Sequence, residues 1–388
     1  MKLWTRPSRQ QTNFGDLCME IEKTFIELFA GVGLVGHALK PRGWTCVLAN
    51  DICPHKKKLW VQNGGEESKF VLGDVRLLSP GDIPKCTLLT ASFPCVDFST
   101  AGKREGFKGS HSSTILLVLH ILQNVPDERK PDLLLFENVL GSICSGKTGA
   151  ADELPEKLHG VGYGNIDMRV VDAANFTSQS RKRVFTLAVR DGSAFSKNIP
   201  RHFPLPTNYG ETVPKVLQKF MNRHPYVRWF HIPVPDLPPY SARFLKDDID
   251  HSQPWTDCPG SPNLPSLFSN GQLQFARENR DVYKVFSFIV QTRSGKPTAE
   301  ISRNGKAYCL RTGTGRLQAG ILGFHGDGRM RLRYLTENEC AALQGVPDFN
   351  FDGVSRNQRY KAMGDAVCVP VVAFMIDHVV HPLLYDAA

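Results

Sequence analysis

From Lys23 to about Arg190, short apolar runs alternate with amphipathic stretches. The runs Thr24–Phe29, Thr45–Asn50, Phe70–Leu72, Thr87–Ala91, Asp132–Phe136 and Val184–Val189 predict strands. Helical spacing covers Leu34–Lys40, Pro54–Asn63 and Ser113–Gln123. Strand, helix, strand in that order predicts an α/β fold with a doubly wound, mostly parallel sheet, whose ligands sit beyond the carboxyl ends of the strands. After Arg190 the texture changes. Pro200 to Pro265 is proline-rich and reads as loop. Val282 to Phe324 reads as β, its apolar runs Val285–Val290 and Ala307–Leu310 broken by the turn signals Ser294-Gly295 and Asn304-Gly305. Arg331 to Pro347 returns to a helical pattern, and Val369–Val380 predicts about three helical turns packing back on the first domain. The organisation expected is a polar extension over 1–20, a first domain over 21–190, a smaller β and loop-rich domain over 191–330, and a return segment over 331–388.

The strand ends carry the candidate chemistry. The first runs into Glu27-Leu28-Phe29-Ala30-Gly31-Val32-Gly33-Leu34-Val35-Gly36, a Gly-x-Gly-x-x-Gly between strand and helix that lets a ligand approach the backbone. A dinucleotide site is the obvious reading. Yet the second strand ends at Asn50-Asp51, where a carboxylate can take two ribose hydroxyls, and the third at Gly73-Asp74, placed for an adenine amino group. That set suits an adenosyl ligand without phosphates. The fourth strand ends in Ser92-Phe93-Pro94-Cys95, a cysteine after a rigid proline, followed by the basic, glycine-punctuated stretch Thr100–Gly109. By itself Cys95 reads as either a nucleophile or a buried thiol. The fifth ends in Glu137-Asn138-Val139, and later comes Gln179-Ser180-Arg181-Lys182-Arg183.

Charge sharpens the division. The net charge is +9, and between Asp191 and Met330 stand 18 basic and 11 acidic residues, so +7 of it lies in the second domain. That suggests a polyanion held there, against the plainer alternative of a solubilising surface. Between Arg293 and Arg316 the basic residues are Arg293, Lys296, Arg303, Lys306, Arg311 and Arg316, on expected hairpins, with Glu300 the one acid. The ten cysteines form no Cys-x-x-Cys or zinc spacing, so most read as reduced thiols and no metal is expected. The first twenty residues lack an apolar signal segment and no run of about 18 apolar residues is evident, which predicts an intracellular protein.

Phe-x-Gly-x-Gly at Phe29, Pro94-Cys95, Glu137-Asn138-Val139, Gln179-x-Arg181-x-Arg183 and Gly364-Asp365-Ala366-Val367, in this order, resemble the DNA (cytosine-5) methyltransferase family. The resemblance covers about Phe25–Val189 and Arg331–Pro370, with Arg331–Gly345 similar to the family's penultimate motif. It implies S-adenosyl-L-methionine as methyl donor, converted to S-adenosyl-L-homocysteine and held by Phe29, Gly31, Gly33, Asp51, Ile52, Asp74, Val75, Pro94 and Asp365. It implies Cys95 as nucleophile at cytosine carbon 6, Glu137 on the ring nitrogen 3 and amino group, and Arg183 with Arg181 on the carbonyl oxygen. Duplex DNA would be met by Ser99, Lys103, Arg104 and Gln179 together with the basic hairpin residues, in a target-recognition domain over 191–330. Ser92, Val96, Ser113 and Asp365 depart from the family's usual residues.

The role implied is that of a restriction-system modification enzyme: a monomer, without membrane contact, any cognate endonuclease acting separately. Its place would be the cytoplasm, on the nucleoid, in a bacterium or virus, and the nucleus in a eukaryote. Three rivals remain at this point. A transfer-RNA cytosine methyltransferase shares the scaffold, but its Cys-Phe-Thr tripeptide is missing here. A nicotinamide oxidoreductase would use Gly31–Gly36 and leave Cys95, Glu137 and Arg183 unexplained. A non-enzymatic DNA-binding protein would not need Cys95.

Overall fold

The computed structural model describes residues 21–93, 113–144, 150–200, 215–236, 249–250, 252, 264–293, 295–311, 319–324 and 330–385. Eight strands form one sheet: β1 (Thr24–Leu28), β2 (Thr45–Asp51), β3 (Phe70–Leu72), β4 (Leu88–Ala91), β5 (Leu133–Val139), β6 (Asn165–Asp172), β7 (Lys182–Val189) and β8 (Arg228–Trp229), ordered β3-β2-β1-β4-β5-β7-β6-β8. β1 to β5 run parallel, while β7 lies antiparallel between β5 and β6. The doubly wound expectation therefore holds, and the chain reverses its direction of strand addition between β1 and β4, where such sheets open their binding crevice.

Helices α1 (Leu34–Leu39), α2 (Pro54–Gln62) and α3 (Ser113–Asn124) stand close to their expected ends. β1 is buried at every position, as a strand covered on both faces must be. Four further strands, β9 (Val285–Arg293), β10 (Lys296–Ile301), β11 (Ala319–Phe324) and β12 (Met330–Tyr334), make a separate antiparallel sheet ordered β10-β9-β11-β12. The Gly295 turn joins β9 to β10, with Arg293 opposite Lys296.

Several expectations need correction. β6 went unrecognised because Asp167 and Arg169 interrupt its apolar pattern; both are buried and paired at 2.6 Å, with His231 beside them. Arg331–Tyr334 is strand rather than helix, since β12 completes the small sheet against β11. The helix begins only at Glu337, where Thr336 and Glu339 form a capping box. Ala307–Leu310 is not a strand; Ala307 makes an isolated bridge to Gln179. Lys215–Asn222, inside the stretch read as loop, is helical.

The C-terminal stretch does return to the first domain. Helix Val369–Met375 packs on α1, and Arg42 holds Asp377 through two bonds of 2.7 Å. By length and composition the helical stretch Arg356–Leu384 could cross a membrane, contrary to expectation, but 61% of its apolar window is buried in the fold, as in a core helix.

Candidate active site

The turn after β1 is built from unusual backbone. Phe29, Gly31 and Gly33 all have positive φ, at 54°, 56° and 85°. Phe29 is the costly one, because a side chain crowds the left-handed region. Gly33 is required twice over: besides its φ, a Cβ there would lie 2.6 Å from the Trp60 ring. Asp51, at the end of β2, accepts hydrogen bonds from the backbone N–H of Gly31 at 2.9 Å and of Cys53 at 2.9 Å. One carboxylate thus ties two strand ends together. Ile52 next to it is exposed, an apolar face at the mouth of the turn.

Asp74 caps the turn after β3 and is gripped by Arg76 through backbone and guanidinium, which hold its carboxyl below the usual range. The Val75 side chain lies in the core beneath that turn. Asp365 reaches this edge through Lys56, paired with it at 3.0 Å, and Asp51 acts electrostatically on the same ammonium.

Under this turn Glu27 is fully buried, and burial pushes its carboxyl up to about 8, a rise that Trp60 and Lys40 temper without reversing. Its Oε2 has no hydrogen-bond partner among the described residues.

The second half of the site is set by strand register. β7 runs antiparallel to β5 with Arg183 opposite Val139, which places Arg183 on the face of β5 shared by Val139 and Glu137. Arg183 Nε lies 3.0 Å from Glu137 Oε1, with both side chains about 15% exposed at the carboxyl edge. A guanidinium and a carboxylate so placed offer, side by side, donors for a carbonyl oxygen and an acceptor for an amino group.

Arg181 has another place than the one read from sequence. It is buried, and its guanidinium donates to the carbonyls of Leu310, Gly364 and Ala366 and to Cys309 Sγ. Gln179 is also corrected, because it is fully buried and holds Leu343 O and the Leu310 N–H. It fastens the segment after β10 to the first domain instead of facing DNA. Lys306 is buried as well, unlike Lys296, Arg303 and Arg311, which are exposed. Pro94, Cys95, Ser99, Lys103, Arg104, Arg316 and the side chain of Arg293 lie outside the described residues.

Sequence reading missed Trp60, which walls the glycine turn, and Cys309, which touches both arginines. Neither carries a local motif; only contacts distant in sequence reveal them.

A family model described as C-5 cytosine-specific DNA methylase matches residues 23–381. Type II methyltransferase M.MspI of Moraxella sp is 28% identical over 356 residues, spanning 92% of this chain and 70% of the relative. Type II methyltransferase M.HhaI of Haemophilus parahaemolyticus is 23% identical over 353 residues, 90% of this chain and 92% of the relative. In fold, the chain is similar to the Dnmt2 methyltransferase of S. pombe, with a TM-score of 0.60 at 20% identity, covering 93% of this chain and 99% of that one. With nearly its whole length matched, the chain belongs to the C-5 cytosine-specific DNA methylase family and is a DNA (cytosine-5) methyltransferase.

Proposed function

We propose that the chain methylates carbon 5 of a cytosine flipped out of duplex DNA, within a short recognition sequence, as the modification half of a restriction system. The observation that carries this reading is the Glu137–Arg183 pair at the same strand edge as the Gly31–Asp51 cradle. S-adenosyl-L-methionine supplies an electrophilic methyl group. The residues suited to hold it are Phe29, Gly31 and Gly33 through the open backbone, Asp51 for ribose hydroxyls, Ile52 against the adenine, and Asp74 for its amino group. Pro94 and Asp365 complete the set proposed.

Cytosine carbon 5 is a weak nucleophile until carbon 6 is attacked. Cys95, as thiolate, adds at carbon 6 and leaves an electron-rich carbon 5. Glu137 hydrogen-bonds ring nitrogen 3 and the amino group, favouring that addition. Arg183 donates to the carbonyl oxygen, where charge develops. Once carbon 5 carries the methyl group, a base takes the carbon 5 proton and the carbon 6–sulfur bond breaks, releasing Cys95 as thiolate and restoring the ring. Inside a duplex this carbon is stacked, so flipping costs a few kcal/mol, repaid by contacts in the site. Ser99, Lys103 and Arg104, which follow Cys95 in sequence, with Arg293, Lys296, Arg303, Arg311 and Arg316, are assigned to the DNA, mainly its phosphates.

The test is transfer of labelled methyl from S-adenosyl-L-methionine to mixed-sequence duplex DNA and, separately, to total transfer RNA, with Cys95→Ala as control. Label on DNA that vanishes in the variant is the expected result. Label confined to RNA, or undiminished label from Cys95→Ala, overturns the reading.

A further inference from the structure

Residues Lys306–Arg311 are docked on the first domain by backbone bonds between Ala307 and Ser178 and between Ser180 and Ala307, and by Gln179 on Leu310. The docking brings Cys309 between two guanidiniums. Arg181 Nη1 donates to its sulfur at 3.3 Å and Arg183 Nη2 at 3.7 Å, distances suited to a large, soft acceptor. The Arg183 guanidinium then meets a partner at each of its three nitrogens: Nε in an ion pair with Glu137, and Nη1 and Nη2 in hydrogen bonds to Lys182 O at 2.8 Å and to Cys309. A planar group held at two nitrogens can still tilt about the line joining them. A contact at the third defines the plane.

Cys309 also differs in kind from the four buried thiols among the described residues. In Cys46, Cys86, Cys340 and Cys368 burial prevails and pushes the thiol up. At Cys309 burial acts the same way, but Arg181 and Arg183, joined by Arg311, outweigh it and hold the thiol below its ordinary value. Cys309 is only partly buried. Electropositive, partly open surroundings distinguish an engaged thiol from a space-filling one.

We propose that Cys309 is a positioning residue for methyl transfer, its sulfur fixing the plane in which Arg183 meets the cytosine carbonyl. This rests on the reading of Arg183 given above. The experiment is steady-state kinetics of the full chain with Cys309→Ala and Cys309→Ser. In Cys309→Ala, kcat should fall about 10–100-fold, the size usual for losing a residue that orients a catalytic group, with KM for S-adenosyl-L-methionine unchanged. The serine hydroxyl also accepts from a guanidinium, so Cys309→Ser should recover a large part of the loss. Wild-type kcat in Cys309→Ala, or a serine variant no better than the alanine one, overturns the proposal.

Should Cys309→Ala fail to fold, iodoacetamide alkylation of Cys309 can be followed by mass spectrometry in a Cys95→Ala chain. The thiolate displaces iodide and forms the carbon–sulfur bond. The rate should drop several-fold when Arg183→Gln is added, and equal rates sink the idea. Cys95→Ala separates the two readings: a variant that still methylates removes the nucleophile assignment, whereas a dead Cys95→Ala beside a fully active Cys309→Ala removes only this proposal.

Discussion

The large sheet's carboxyl edge and the small domain both present basic side chains, and they hold them in opposite ways. At the edge, Arg183 is pinned by Glu137, Lys182 O and Cys309, and Arg181 is wholly enclosed. On the small domain Lys296 in β10 and Arg303 just after it stand exposed, Arg303 resting over the Phe275 ring at 5.1 Å. A pinned guanidinium loses little entropy on meeting its ligand and selects by geometry. An exposed one suits a phosphate whose position varies with each sequence bound. Partners that desolvate a charge prepare it for chemistry, whereas water around a charge leaves it suited to association.

The most severe test of that contrast is a third case, the Asp167–Arg169 pair between β6 and the chain at Ile232. Both side chains are buried, and their contacts are with each other, with Ile232 and with His231. Asp167→Asn strands a buried guanidinium and should lower stability by about 3–5 kcal/mol in denaturant titrations, leaving methyl transfer per folded molecule nearly intact. Burial would raise the Asp167 carboxyl, but Arg169 and His231 hold it below the usual value. Its stabilisation is therefore present above the ordinary carboxylate range and lost as pH falls through the depressed value. Asp167→Asn should flatten that acid limb.

At the edge the prediction reverses. Arg183→Ala should cost about 10²–10³-fold in kcat, the usual loss for one donor to developing charge, with a stability change of about 1 kcal/mol or less. A large stability loss instead would place Arg183 with Asp167, as a structural group.

Glu27 sharpens the comparison from another side, as a buried carboxyl with no arginine. Its folded value of about 8 lies above the unfolded one, so stability should fall as pH rises from the ordinary carboxylate range through about 8. Glu27→Gln should remove this slope, about 2–4 kcal/mol by linkage, and make the protein more stable than wild type at pH 8.5. Denaturant midpoints at pH 6 and 8.5 read it directly. The smallest effects belong to the exposed basic residues of the small domain: Lys296→Ala or Arg303→Ala should weaken binding to all duplex sequences alike and reduce the salt slope by about 1 each.

Much of this molecule was legible from its residue order because its information is local. β3 lies where its apolar run predicts, and β1, β2 and β4 end within a residue of theirs. The tight turn at Gly31 and Gly33 needed no tertiary knowledge, since a strand running into closely spaced glycines and then a helix must turn through backbone that only glycine adopts without strain. The Arg331–Tyr334 error came from alternation too short to separate strand from helix. That of β6 came from a buried ion pair that mimics a solvated surface.

Residue order by itself determined the fold class, the glycine turn, the carboxylates at the strand ends and the co-occurrence of Glu137 with two later arginines. Only the tertiary structure decided which arginine stands beside Glu137. Arg181 and Arg183 are two residues apart and chemically alike; the β5–β7 register puts one beside Glu137, and the docked Leu310 and Ala366 carbonyls enclose the other. It alone also buried Gln179 and Lys306 and brought Cys309 to Arg183. The physical reason is that periodicity records which face of an element is apolar, whereas the partners of Arg181 and Gln179 are brought by segments more than a hundred residues away.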